Sequence, residues 1–237
     1  MKYCLPIIKN TKEEVVNYIS GNPDYDFYEI WLSNIEDLDT DFIWKISDQF
    51  NGKLIFLFRK QNLKKSDLEK ELKEKIIKLL ETSENYLDLD INDQKEELSF
   101  IKENKLSNKL IVSYHNYLET PELNDLNKIS EDMDSRWSLP RTSIRGGNDR
   151  ECIFKVSTFC KTPEDSIKLL TLLLKLKKGG KKFIVIGMGD EGKIVRIFGA
   201  LWGNEFNFAP VNEDEKSAPG QLTREKLAVI LNAVNDL

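Results

Sequence analysis

Lys155 lies at the centre of Cys152–Thr158, read CIFKVST, a short β-type run whose other central positions are apolar or small. A lysine turned inward from such a strand loses hydration, which disfavours its ammonium form and leaves an amine able to attack a carbonyl. The expected depression is from about 10.4 toward roughly 7–8. The bland alternative is a lysine that faces outward and snorkels into water, so the decision falls to the other groups that share its neighbourhood. His115, the chain's one histidine, closes Ser113-Tyr114-His115, and any imidazole base must therefore be this residue. Arg196 follows the glycine-rich turn Gly187-Met188-Gly189-Asp190-Glu191-Gly192, and Ser217-Ala218-Pro219-Gly220-Gln221 lies in a charged stretch near the end. Each of these has an ordinary reading as a tight strand-to-helix turn or a surface turn. Together they offer a guanidinium, a hydroxyl and an amide that can converge on a carboxylate and hydroxyls.

The elements that must position these residues alternate regularly. Apolar β-rich runs recur at Tyr3–Ile8, Phe27–Leu32, Leu54–Arg59, Tyr86–Ile91, Lys109–Tyr114, Ile153–Thr158, Phe183–Met188 and Phe206–Pro210. Helical patterns follow them at Lys12–Ile19, Asp41–Phe50, Asp67–Leu80, Asp93–Lys102, Glu122–Met133, Pro163–Leu176, Lys193–Leu201 and Arg224–Val234. Strands that alternate with helices pair in parallel, because each parallel connection needs a crossover. Eight such units predict an α/β fold, a single-domain (β/α)8 TIM barrel over residues 1–237. Lys64–Leu80 places Leu68, Leu72, Ile76 and Leu79 or Leu80 on one face, the pattern of a barrel-wall helix. Thr162-Pro163-Glu164-Asp165 opens another helix with a cap, a first-turn proline and acids, and Gly179-Gly180 stops it.

In a barrel the chemistry sits at the C-terminal ends of the strands and on the loops after them. That rule selects Glu29 on strand two, Arg59 at the end of strand three, His115 at the end of strand five and Lys155 on strand six. Composition narrows the partners: a net charge of −5 leaves no basic face for nucleic acid, and no apolar run reaches the roughly 20 residues that span a bilayer. Cys4, Cys152 and Cys160 are odd in number and lack metal-ligand spacing, and no signal pattern follows Met1. A reduced cytoplasmic protein with a small-molecule substrate is expected, without nucleic acid or membrane.

Read together, Phe56-Leu57-Phe58-Arg59, Ser113–Tyr117 with Thr120-Pro121, Ile153–Val156, Met188-Gly189 through Gly192 to Arg196, and Ser217–Gln221 resemble type I 3-dehydroquinate dehydratase. They run in that family's order and cover most of the chain. The resemblance implies that Lys155 forms an imine with 3-dehydroquinate and that His115 moves protons. It also implies that Arg59, Arg196, Ser217 and Gln221 bind substrate, with Glu29 on a ring hydroxyl. Such chemistry needs no metal and no organic cofactor, since a protonated imine is itself the electron sink. The Ser217–Gln221 loop is expected to close over the substrate.

The chain also departs from the family pattern. Where the family usually has an arginine two residues after the strand-two glutamate and an aspartate two further on, this sequence has Trp31 and Ser33. The glutamate usual after the strand-three arginine is missing, with Leu63 near that place. Residues 131–151 form an unusually long polar connection on the face away from the site, read as a surface or subunit-contact element of a homodimer. Two other classes fit parts of the pattern: a lysine aldolase of the transaldolase or deoxyribose-phosphate type, and a barrel that only binds ligand. SAPGQ and Arg196 favour a carboxylate over a phosphate, and the pair Lys155 and His115 argues against loss of catalysis.

Overall fold

A computed structural model describes residues 1–59, 66–137 and 152–236. Its strands are β1 (Tyr3–Ile7), β2 (Phe27–Trp31), β3 (Leu54–Leu57), β4 (Tyr86–Asp90), β5 (Lys109–Asn116), β6 (Cys152–Phe159), β7 (Phe183–Met188) and β8 (Asn207–Phe208). They form one sheet in the order β7-β6-β5-β4-β3-β2-β1-β8. The helices are α1 (Lys12–Ser20), α2 (Thr40–Gln49), α3 (Lys70–Leu79), α4 (Lys95–Glu103), α5 (Leu123–Trp137), α6 (Pro163–Lys178), α7 (Lys193–Trp202) and α8 (Arg224–Asn235). The fold is a nearly closed (β/α)8 barrel. Parallel strands covered by helices are buried on both faces, so they read as unbroken apolar runs. β3, LIFL, is buried at every position. No helix among the described residues is long and apolar enough to cross a membrane.

The described chain comprises two compact units. Among the described residues the first contains 1–6, 113–134 and 153–236, and the second 7–59, 66–112, 135–137 and 152. In the first, β1 pairs with β8 through Tyr3↔Asn207, and β6 pairs with β7 through Lys155↔Ile184. β8 is only two residues long, yet the Glu205 amide donates to the Phe183 carbonyl at 3.0 Å and carries the chain toward β7. The predicted start of α6 is present: Thr162 and Asp165 form a reciprocal capping box with Pro163 in the first turn. The helix runs two residues past Leu176, and Gly180 takes the left-handed conformation at φ 66° that ends it.

In the second unit β2, β3 and β4 pair in register, with Glu29↔Ile55, Trp31↔Leu57 and Leu57↔Asp88. Asn85 ties them from below, its Oδ1 accepting from the Leu54 amide at 3.0 Å. Several boundaries differ from expectation, three of them with consequences for the loops. α3 begins at Lys70, because Ser66 Oγ accepts from the Leu68 amide and holds that turn outside the helix. β3 ends at Leu57 and not at Arg59, since the Phe58 carbonyl receives the Ser33 hydroxyl. α5 continues to Trp137, into the stretch expected to be irregular. The remainder of that stretch, residues 138–151, and Leu63 lie outside the described residues.

Candidate active site

β6 is buried along Ile153–Thr158 on both faces, so the strand offers its lysine no route to water. Lys155 is 4% exposed, and its Nζ stands 4.3 Å from the centroid of the Phe208 ring. Burial opposes the ammonium while the ring's π-face favours it. His115, on the adjacent strand β5, is 8% exposed and stacks on Tyr117 with centroids 6.2 Å apart and planes 18° from parallel. The loop after β5 is pinned to the end of β6 by Thr120, whose Oγ1 lies 2.8 Å from Thr158 Oγ1 and donates to the Phe159 carbonyl at 2.9 Å. The inward reading of Lys155 therefore holds, and its predicted neighbour on the next strand is buried with it.

Arg196 is 7% exposed on α7. Its Nη2 reaches the Pro219 carbonyl only at 3.5 Å, its buried Nε makes no hydrogen bond, and no carboxylate among the described residues pairs with it. Burial pulls its pKa down to about 10, against weaker opposite effects of Cys160 and Tyr117. A buried charge without an anionic partner is costly until an anion arrives. The glycines before it serve packing: a Cβ on Gly187 would come within 2.6 Å of Gly192 Cα, which brings the end of β7 against the start of α7.

Ser217 and Gln221 face each other across their loop. Gln221 Nε2 donates to Ser217 Oγ at 3.0 Å, and Gln221 Oε1 accepts from the Ser217 amide at 2.8 Å. The loop is docked, because the Gly189 amide donates to the Pro219 carbonyl at 3.2 Å. Gly220, at φ 75°, approaches Gly189 so closely that a Cβ would lie 2.2 Å from its carbonyl oxygen. Its acidic approach is held by Glu213, which accepts from Lys216 and from Lys226 and whose pKa falls to about 2 as a result.

The second unit holds the other predicted residues. Glu29 on β2 accepts a hydrogen bond from the Trp31 indole at 3.1 Å, both side chains being buried. Arg59, just beyond β3, is buried and ion-paired with Asp88 at 3.5 Å and Asp90 at 3.8 Å. Burial raises the pKa of Asp90, with Arg59 pulling the other way. These two carboxylates were passed over in the sequence, where YLDLD reads as an ordinary strand; the signal was acids at alternate positions of an apolar run, hence on one face. Ser33 does not share the face of Glu29 and Trp31. The strand stops at Trp31, and Ser33 sits in the short turn Leu32–Asn34, its Oγ 2.6 Å from Ser66 Oγ.

Fold and side chains define the class: a (β/α)8 barrel enzyme with a buried amine and a buried imidazole on neighbouring strands. The chain belongs to the type I 3-dehydroquinase family, whose family model matches residues 3–237. It is an enzyme of the hydro-lyase kind. It is 29% identical to a 3-dehydroquinate dehydratase of Methanococcus maripaludis strain C7, covering 98% of this chain and 99% of that one. A 3-dehydroquinate dehydratase of Coxiella burnetii (strain Dugway) is likewise 29% identical, over 93% and 88% of the two chains. Among solved structures, the 3-dehydroquinate dehydratase of Geobacillus kaustophilus superposes with a TM-score of 0.77 at 20% identity, covering 99% of this chain and 91% of that chain. The type I enzyme of Clostridium difficile, solved with covalently modified comenic acid, gives 0.75 at 20% identity, with 99% and 92% covered.

Proposed function

We propose that this chain dehydrates 3-dehydroquinate to 3-dehydroshikimate through an imine on Lys155. The amine adds to the substrate ketone and water leaves, giving a protonated imine. His115 removes the neighbouring proton, the electrons move into the iminium, and the resulting enamine expels the hydroxyl, which His115 protonates so that it departs as water. Hydrolysis of the imine then frees the product and restores the amine. Arg196 receives the substrate carboxylate, and Ser217 and Gln221 contact the same ligand from their loop. Glu29 is proposed for a ring hydroxyl and Arg59 for substrate binding, as the family resemblance implies. No metal or organic cofactor enters this scheme, because the imine does the work of an electron sink.

The observation that carries the reading is the burial of Lys155 at 4% exposure inside a strand with no solvent face. Reduction with borohydride in the presence of substrate tests it: a ligand-sized mass should appear on the peptide containing Lys155. Turnover without trapping, or trapping on another lysine, would remove the assignment. The proposed protein is one catalytic domain over residues 1–237, homodimeric and cytoplasmic, a compartment supported by Cys4, Cys152 and Cys160, which form no disulfide.

A further inference from the structure

We propose that Trp31 is a positioning residue for substrate binding, acting through Glu29; the inference rests on the reading of Glu29 as a substrate contact. The two side chains are two residues apart on β2, and residues at that spacing project from one face of a strand. Trp31 Nε1 donates to Glu29 Oε2 at 3.1 Å, and the pair is buried, with Glu29 3% and Trp31 5% exposed. A glutamate's terminal torsion is broad, so its carboxylate plane is set by its partners and not by its own rotamer. A buried donor aimed at one oxygen fixes that plane and spares substrate the entropy of ordering it. Indole suits this task because it supplies a single donor, no acceptor and no charge. A guanidinium in its place would hold the carboxylate with several donors and a positive charge. With indole the carboxylate receives one neutral donor on one oxygen, while the ring closes the adjoining volume to polar substituents. Trp31 thereby narrows the acceptable ligand to one that places a hydroxyl at Glu29 and apolar ring surface beside the indole.

The test replaces Trp31 with β-(3-benzothienyl)alanine, which keeps the shape and exchanges N–H for sulfur, and in parallel makes Trp31→Phe. The expected result for the benzothienyl protein is a rise in KM of about tenfold, equivalent to about 1.4 kcal/mol, with most of the loss in KM and little in kcat. In a Glu29→Gln background the same replacement should add less than a twofold further change, since the carboxylate it orients is gone. Unchanged KM in the benzothienyl protein overturns the proposal, and so does an equal rise in the Glu29→Gln background, which would mark Trp31 as packing alone. Borohydride trapping on Lys155 is run on every variant. If the wild-type protein traps substrate and only the Trp31 expectations fail, this inference falls alone; if the wild-type protein neither traps nor turns over substrate, the underlying reading falls with it.

Discussion

Replacing Arg196 with methionine should stabilise the unliganded protein and weaken its grip on substrate. The guanidinium is buried without a carboxylate, and its Nε makes no hydrogen bond. Its lowering to about 10 is a measure of how far burial disfavours the charged form. Converted at 1.36 kcal/mol per tenfold change in proton affinity, that burden is about 3 kcal/mol. Because the folded-state value is the depressed one, the burden is fully present at every pH below about 10 and shrinks only above it, so a neutral-pH measurement reads all of it. The surroundings are mostly apolar: Phe206, Phe208, Leu222 and Leu227, with Asn204 and Asn207, line a cavity of about 10 Å3 together with Arg196. Methionine is the shorter side chain, and the volume it leaves unfilled gives back on the order of 1 kcal/mol. A net gain of about 1–3 kcal/mol is in the range found when buried charges become apolar, and for a chain of this size it corresponds to about 2–12 °C in Tm. Loss of a charge-assisted bond to the substrate carboxylate should cost about 1.5–3 kcal/mol, a rise in KM of roughly 10- to 150-fold. Thermal unfolding with and without 3-dehydroshikimate reads both effects at once: the unliganded variant should melt higher than the wild-type protein, and only the wild-type protein should gain from ligand. An unliganded variant that melts several degrees lower would refute the reasoning, because the guanidinium would then be a structural partner and not an unsatisfied receptor.

His115→Ala should lower turnover by about 10²–10⁴ while imine still accumulates slowly on Lys155, detectable by mass spectrometry after reduction; near-normal turnover would exclude the imidazole as the base. Gly220→Ala should lower kcat/KM by roughly tenfold, because the left-handed backbone alone costs about 1–2 kcal/mol and the new Cβ meets the Gly189 carbonyl. Steady-state kinetics at matched folded fractions checks this, and an unchanged kcat/KM would mean that the loop need not sit on Gly189.

The barrel was legible because its evidence is periodic: apolar β-rich runs separated by amphipathic helices survive errors of two or three residues at each end. Lys155 was legible for the related reason that a strand without a solvent side leaves a lysine one direction to point. The place of Ser33 was hidden, because alternation along β2 lasts only as long as the strand, and the strand ends at Trp31. The bond between Trp31 and Glu29 was hidden too: parity places them on one face, but whether the indole reaches the carboxylate depends on rotamers that no sequence pattern encodes. The two arginines show most sharply where sequence stops. Arg59 and Arg196 carry the same implied role, and each is buried. Arg59 already has its charge balanced within its own unit by Asp88 and Asp90, two acids that read as strand residues until β4 places them beside it. Arg196 has a carbonyl at 3.5 Å and no carboxylate beside it among the described residues. An incoming carboxylate therefore gains a partner at Arg196 without displacing one, whereas at Arg59 it would enter a site that two carboxylates already occupy. Of the two, Arg196 is the one whose electrostatics call for an acidic substrate, and Arg59 is the better suited to a neutral hydroxyl.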